Sequence, residues 1–121
     1  MPDATTTLAT LKEAVRQFAA ERQWEPFHSP KNLSMGLAVE AAELMEHFLW
    51  VDNEASRQMV HDPAKLAGVA EEIADVAVYV LNLGNTLGID LSETILAKIA
   101  KNAVKYPAEQ YRGRYTAKPQ S

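Results

Sequence analysis

The stretch VEAAELMEHFLW, residues 39–50, places a glutamate at every third position among apolar residues. At about 100° per residue, a helix gathers its apolar side chains into one stripe. Glu40 then lies on the border of that stripe, Glu43 about 60° farther round, and Glu46 nearly opposite. We therefore expect solvent around Glu46, and we expect Glu40 and Glu43 beside a packing face. The stripe consists of Leu33, Leu37, Ala41, Leu44, Phe48 and Val51.

A second acidic pair follows in EEIADVAVYVLNL, residues 71–83. Glu72 lies inside the edge of an apolar stripe, Asp75 follows at i+3, and Tyr79 and Asn82 continue the same flank, whereas Glu71 is farther away. If the two helices pack together, four carboxylates converge. The second stripe consists of Val69, Ile73, Val76, Val80, Leu83 and Leu87.

Four close carboxylates repel one another unless they are protonated, paired with bases or bound to a metal ion. Few lysines or arginines lie on these helices, and ligand sets made only of oxygen suit hard cations such as Mg²⁺ or Mn²⁺. The alternative is that these residues are solvated flanks beside a core. A di-iron site requires Glu-x-x-His on two helices, and the nearest case here, Glu43 and His47, has the wrong spacing.

Helical periodicity fills most of the sequence and strand-like alternation is short, so the predicted fold is an all-α bundle of four to five helices. Turn and capping residues place the boundaries. The expected helices run from a cap at residues 5–7 to about 23, from about 33 to 51, briefly after 52–55, from 62–63 to about 87, and from 90 to 107. We expect one helical domain over residues 1–107 and a polar, flexible tail over 108–121.

The composition excludes several classes of protein. The 121 residues are 47% hydrophobic and 23% charged, with no cysteine and a formal charge of −4. The acidic balance argues against binding to nucleic-acid duplexes, and no apolar run is long enough to span a membrane. The N-terminus lacks the pattern of a secretory signal, so we expect a cytoplasmic protein.

A basic face is predicted on the last long helix. Lys98, Lys101, Asn102 and Lys105 occur at i, i+3, i+4 and i+7, on one side of a helix. Such a face can bind phosphates. It can equally be a solvated flank that complements the helix C-terminus.

Aromatic residues gather around the loop between the first two long helices and at the end of the second. Trp24, Phe27, His28 and Trp50 can stack a base there. They can also close the core or an oligomer interface, which is the more common role of tryptophan.

Together, these segments resemble the all-α MazG-like nucleotide pyrophosphohydrolases, and among them the small single-domain members related to dCTP pyrophosphatases. The resemblance covers residues 18 to 107. It is carried by FAAERQWEPFHSPKNL (18–33), VEAAELMEHFLW (39–50), EEIADVAVYVLNL (71–83) and KIAKNAVKYP (98–107).

The resemblance implies a role for each group of residues. Glu40, Glu43, Glu72 and Asp75 match the family's Mg²⁺ ligands; Lys98, Asn102, Lys105 and Tyr106 match its triphosphate-handling segment; Trp24, His28, Trp50 and Tyr79 fall where dCTP-preferring members build a base pocket. It also implies a homodimer or homotetramer.

The implied reaction converts a nucleoside triphosphate and water into the monophosphate and diphosphate, with dCTP or a modified dCTP as the expected substrate. Such an enzyme would act in dNTP-pool maintenance or house-cleaning. Glu43 and Glu71 are both candidates to orient the attacking water. A non-catalytic helical module that binds nucleotides or partner helices is the alternative.

Overall fold

The computed structural model describes residues 1–114, which form helices, turns and loops and contain no strand. The predicted all-α fold class is therefore confirmed. Two short 3₁₀ helices, Glu25–Phe27 and Met59–His61, lie between the longer elements. The α-helices within this part of the chain are α1 Leu8–Glu21, α2 Pro30–Glu46, α3 Asn53–Gln58, α4 Pro63–Leu87, α5 Leu91–Lys105 and α6 Ala108–Tyr111.

Polar caps explain where most helices begin. Thr7 Oγ1 accepts a hydrogen bond from Thr10 N at 3.1 Å at the start of α1. Asp52, Asp62 and Asp90 cap α3, α4 and α5 in the same way. Each cap satisfies a backbone N–H that has no partner within its own helix. Gly88 ends α4 with a φ of 65°, a left-handed conformation that favours glycine.

The predicted bounds of α2, residues 33–51, are wrong at both ends. Ser29 Oγ accepts a hydrogen bond from Asn32 N at 3.1 Å, and Pro30 occupies the first position, where its missing N–H costs nothing. At the other end, His47 N bonds to Leu44 O and Phe48 N to Met45 O, which is the tighter spacing of a turn. The helix therefore ends at Glu46.

The chain divides into two compact units, Met1–Ile89 and Asp90–Ser121. In the first, α1 and α2 both pack on α4, and the 3₁₀ helix Met59–His61 contacts α4 as well. Helix α4 is thus the central element of this unit. Among residues 1–114, the buried apolar residues all belong to this unit and are Ala19, Leu33, Met59, Val69 and Leu81.

The second unit contains α5 and α6. The rings of Tyr106 and Tyr111 meet edge to face at 5.3 Å, and Lys105 Nζ lies 5.3 Å from the Tyr106 ring centre. Of the expected tail, residues 108–111 form α6, and residues 115–121 lie outside the described part of the chain.

A row of exposed apolar residues runs along α4. Leu66, Ile73, Val80 and Leu87 are spaced by seven residues and are 36% to 53% exposed. The sequence predicted Ile73, Val80 and Leu87 in the packing stripe with Val69, but only Val69 of these four is buried. Seven-residue apolar spacing is typical of a helix face that packs against another helix.

No helix among residues 1–114 combines the length and the apolar character that a bilayer-spanning segment needs.

Candidate active site

Three of the predicted acidic residues come together between α2 and α4. Glu40 and Glu43 of α2 and Glu72 of α4 each offer a carboxylate oxygen, and these oxygens lie within 4.8 Å of one another. Helix packing brings them together, because α2 and α4 contact each other. The two i, i+3 pairs predicted that four carboxylates converge, and the structure groups three of them, without Asp75.

The cluster contains carboxylate oxygens without hydrogen-bond partners. Oε2 of Glu40 and Oε2 of Glu72 are both buried and unbonded among the described residues, whereas the Glu43 side chain is exposed. A buried polar atom without a partner costs free energy, and a negatively charged one costs more. The arrangement is therefore favourable only with a proton or a cation between the carboxylates.

The electrostatics of Glu40 reflect this crowding. Partial burial raises the pKa of Glu40 from 4.5 to about 7, and the neighbouring carboxyl groups of Glu72 and Glu43 add to the increase. The negative charge of Asp75 acts in the same direction. A pKa of about 7 means that the Glu40 carboxyl group is partly protonated near neutral pH, and a cation at these oxygens would compete with that proton.

The donor set fits a hard metal ion. All ligand atoms in the cluster are carboxylate oxygens, which are preferred by Mg²⁺ and Mn²⁺. The acidic partners of ion pairs within residues 1–114 are Glu13, Glu21 and Glu54, so no lysine or arginine there neutralises the cluster. A metal ion can occupy this site.

The two remaining acidic candidates lie outside this group of three. Asp75 is one turn along α4 from Glu72, is exposed, and lines a cavity next to the cluster. Glu71 is exposed on α4. Glu46 is exposed, as predicted from the helical wheel.

The cavity has a volume of about 390 Å³ and lies between α1, the segment that follows it, and α4. Its walls are mostly apolar and aromatic. It brings together three of the four residues predicted to bind the base, Trp24, His28 and Tyr79, and adds the polar side chains of Asp75 and Asn82. Asp75 lines the cavity and lies one turn along α4 from Glu72 of the acidic cluster, so the cavity and the cluster adjoin.

The aromatic wall is built by edge-to-face contacts. Phe18 and Trp24 are 5.7 Å apart and Trp24 and His28 6.2 Å apart, each at an interplanar angle of 73°. The guanidinium of Arg22 lies 3.7 Å from the Phe18 ring centre. These contacts hold the Trp24 ring at the cavity.

The local backbone also directs Trp24 to the cavity. Gln23 has a φ of 53°, and Trp24 N bonds to Ala19 O at 3.0 Å, which turns the chain sharply after α1. Trp24 is thereby folded back towards the last turns of the helix it follows.

Trp50 does not line this cavity. It lies in the turn after α2 and is 90% exposed. The structure thus separates it from the other three predicted base-binding residues.

The predicted phosphate-binding residues belong to the second unit. Lys98, Lys101, Asn102 and Lys105 are all exposed along α5, and Tyr106 is the exposed C-cap residue of that helix. Their spacing gives α5 one polar, mostly basic face.

Sequence reasoning missed six cavity residues as candidate site residues, namely Ala14, Val15, Phe18, Ala19, Val78 and Asn82. Asn82 had a recognisable signal, because it lies at i+3 from Tyr79 and i+7 from Asp75 on one face of α4. Phe18 and Val78 had none, since apolar residues on an amphipathic helix are equally expected in a core.

Comparison with known proteins agrees with this geometry. The model of the MazG-like family matches residues 36–116. Over 116 residues, the chain is 35% identical to dCTP pyrophosphatase 1 of Bos taurus, covering 93% of this chain and 69% of that protein. It is also 35% identical to dCTP pyrophosphatase 1 of Homo sapiens, with coverage of 93% and 68%. The crystal structure of a pyrophosphatase from Archaeoglobus fulgidus superimposes with a TM-score of 0.74 at 33% identity, covering 88% of this chain and 98% of that one.

These likenesses place the protein among the nucleoside triphosphate pyrophosphohydrolases. Within that class, the chain belongs to the MazG-like family, as the sequence resemblance predicted. The comparisons thus favour an enzyme over a non-catalytic helical module.

Proposed function

We propose that the enzyme hydrolyses a nucleoside triphosphate to the monophosphate and diphosphate in a reaction that depends on Mg²⁺, with Mn²⁺ as a possible substitute. The observation that carries this proposal is the pair of buried, unbonded carboxylate oxygens on Glu40 and Glu72, next to Glu43. The relatives named pyrophosphatases support the type of reaction.

Four carboxylates are proposed to hold the metal. Glu40, Glu43 and Glu72 supply oxygens that already lie together, and Asp75 supplies one from the adjoining turn of α4. When bound, a divalent cation polarises phosphoryl oxygens and lowers the pKa of water. Because Asp75 also lines the cavity, it lies where a nucleotide and a metal site would meet.

A carboxylate outside the inner pair is proposed to orient and deprotonate the attacking water. Glu43, which is exposed within the cluster, and Glu71, which is exposed on α4, are the two candidates. A carboxylate at either position is a suitable general base for water. Glu71→Gln distinguishes them, because Glu71 is not a proposed metal ligand. Loss of turnover with unchanged Mg²⁺ binding would identify Glu71 as the base, and full turnover would leave Glu43.

The basic face of α5 is proposed to bind the triphosphate. Its three lysines bring positive charge, and Asn102 and Tyr106 add hydrogen-bond donors. Positive charge stabilises the negative charge that develops on the departing diphosphate, so no protein nucleophile is required.

The base is proposed to lie in the aromatic cavity, against Trp24, His28 and Tyr79. We propose dCTP or a 5-modified dCTP as the substrate, because the curated relatives are named dCTP pyrophosphatase 1. Such an enzyme would maintain the dNTP pool or act as a house-cleaning enzyme. A contribution of Trp50 to base binding remains a prediction.

A homo-oligomer is proposed from the exposed face of α4. Leu66, Ile73, Val80 and Leu87 present a continuous apolar row to solvent in the single chain, and a second copy can cover it. A homodimer or a homotetramer satisfies this requirement.

The test is a product assay on the purified protein with a panel of canonical and modified ribo- and deoxyribonucleoside triphosphates, with Mg²⁺, with Mn²⁺ and with chelator. We expect monophosphate and diphosphate, with deoxycytidine triphosphates turned over best. Release of orthophosphate with a nucleoside diphosphate, or no turnover with either metal, would show that the proposal is wrong.

A further inference from the structure

We propose that Asn82 determines which base the cavity accepts, by fixing the tautomer of His28 and by offering its own amide oxygen to an exocyclic amino group. This inference rests on the proposed function, since it names the chemical feature by which the same site selects its nucleotide. Asn82 was not among the residues that the sequence singled out for the site.

The side chains of Asn82 and His28 are in contact. Asn82 Nδ2 lies 3.2 Å from His28 Nδ1, and this hydrogen bond joins α4 to the segment before α2. Both side chains are partly buried and both line the cavity. An amide nitrogen can only donate, so His28 Nδ1 accepts and the neutral ring carries its proton on Nε2.

The hydrogen bond between Asn82 and His28 leaves one acceptor and one donor of these side chains free. Asn82 Oδ1 accepts no hydrogen bond from residues 1–114. The bond thus orients an amide whose oxygen remains free as an acceptor, beside a ring whose Nε2 remains a donor. Val78 and Trp24 also line the cavity and offer no acceptor, whereas the acceptor oxygens of Tyr79 and Asp75 lie about one and two turns before Asn82 on α4.

The free amide oxygen of Asn82 is complementary to a base that carries an amino group. A 4-amino pyrimidine such as cytosine presents an N–H donor where uracil and thymine present a carbonyl oxygen. An amide oxygen accepts a hydrogen bond from the amino group, whereas it opposes the carbonyl with a second acceptor and no proton between them. A site built in this way rejects the wrong base because a buried polar group loses its partner.

A merely structural role for the same hydrogen bond predicts a different outcome. The bond would then hold the segment around His28 against α4, and its loss would lower stability and weaken binding of every base alike. Asn85 provides the matched control, because its Nδ2 donates to Lys12 O at 2.8 Å and ties α4 to α1 without lining the cavity.

The experiment measures binding of α,β-imido analogues of dCTP and dUTP by calorimetry in the presence of Mg²⁺. These analogues resist cleavage between the α and β phosphorus atoms, so the result does not depend on turnover. We expect the natural protein to bind the cytosine analogue at least about tenfold more tightly, the effect of one well-formed hydrogen bond. Asn82→Leu should reduce this ratio to near one, and Asn85→Leu should leave it unchanged.

Two further measurements keep the test decisive. If Asn82→Leu does not fold, Asn82→Ala, which suits a helix, replaces it with the same expectation. Nitrogen NMR of the neutral His28 ring should show Nδ1 without a proton in the natural protein, and a mixture of tautomers in Asn82→Ala.

Defined results overturn the inference. It is wrong if the natural protein binds the two analogues equally or binds neither, if the Asn82 variant keeps the preference, or if the proton of His28 lies on Nδ1. Failure of the proposed function is seen separately, as absence of diphosphate release from any triphosphate in the product assay.

Discussion

The ring of Tyr79 lies directly against the backbone of Gly36. A Cβ atom at Gly36 would come within 2.7 Å of Tyr79 Cζ and 2.9 Å of its hydroxyl oxygen. Because Gly36 has no side chain, it leaves space beside α2, and the ring of Tyr79 from α4 occupies that space. The contact links the packing of the two helices to the position of a predicted base-binding side chain.

We expect Gly36→Ala to displace Tyr79 and to destabilise the fold. Overpacking costs about 1–3 kcal/mol, while the better helix propensity of alanine returns about 1 kcal/mol, so the free energy of unfolding should fall by up to about 2 kcal/mol. Nucleotide affinity should fall as well, because Tyr79 lines the cavity. Urea denaturation and calorimetry measure the two effects.

Two controls make the same glycine-to-alanine change where the added Cβ atom has more room. A Cβ atom at Gly68 would lie 3.2 Å from His47 Cε1 and 3.9 Å from His47 Nδ1, so Gly68→Ala should be close to neutral. In a Tyr79→Ala background the clash is absent, and Gly36→Ala should then stabilise by about 1 kcal/mol. Equal destabilisation in both backgrounds would contradict this explanation.

A second prediction concerns the acidic cluster. Glu40→Gln removes one negative charge from beside Glu72 and Glu43, so the metal-free protein should melt at a higher temperature near pH 8. The same variant should lose the stabilisation by Mg²⁺. Its turnover should fall by about a hundredfold or more, because mutation of residues that only orient metal ligands already lowers metal affinity or activity by about 10- to 100-fold. Thermal melts with Mg²⁺ and with chelator, together with the product assay, measure both.

Glu46→Gln is the matched control for that variant. It makes the identical change on the same helix, but Glu46 is exposed and lies outside the cluster. It should leave the Mg²⁺ shift and the turnover unchanged. If Glu40→Gln keeps full turnover, the ligand assignment is wrong.

The raised pKa of Glu40 predicts a pH dependence. The pKa is 4.5 for an ordinary glutamate and about 7 in the folded protein, so the folded state binds the proton more tightly. The contribution to stability is complete below pH 4.5 and is lost as the pH rises through 7. Without metal, the melting temperature of Glu40→Gln relative to the natural protein should therefore increase between about pH 5 and 7.5.

Mg²⁺ should reverse that trend, because the cation competes with the proton for the same oxygens. The increase in melting temperature caused by Mg²⁺ should grow over the same pH range. A Mg²⁺ effect that stays constant from pH 5 to pH 8 would exclude Glu40 as the group in competition.

The exposed row on α4 supports a fourth prediction. Val80→Lys places a charge in the middle of the row and should lower the mass of the assembly, measured by light scattering during gel filtration. Thr86→Lys makes a similar change on an exposed position of α4 outside the row and should not alter the mass. The natural protein running as a monomer would remove the basis for the proposed oligomer.

The sequence predicted the fold class because apolar residues at helical spacing and capping residues act locally. Asp62 with Pro63, Gly88, and Asp90 with Glu93 all mark helix ends as expected. The end of α2 was predicted wrongly, since helical periodicity continues through the turn that follows Glu46. Periodicity shows which residues share a face, but it does not show where hydrogen bonding changes.

The site was predictable to the extent that it depends on helix faces. The wheel placed Glu40, Glu43 and Glu72 on facing margins, and the structure brings their oxygens together. The helical wheel did not reveal which apolar residues of α4 would stay exposed, because exposure depends on which other helices pack against α4. The hydrogen bond between His28 and Asn82 spans 54 residues and has no local signal at all.

The last prediction concerns the turn that delivers Trp24 to the cavity. Gln23 adopts a φ of 53°, a left-handed conformation that costs a non-glycine residue about 1–2 kcal/mol. Gln23→Gly relieves this strain, and Trp24 N keeps its hydrogen bond to Ala19 O. The larger conformational entropy of glycine in the unfolded chain offsets part of the resulting gain in stability. We expect a net stabilisation of up to about 1 kcal/mol in urea denaturation, with unchanged nucleotide affinity. Glu21→Gly, within α1, should instead destabilise by about 0.5–1 kcal/mol, and similar destabilisation by both variants would show that the turn is not strained.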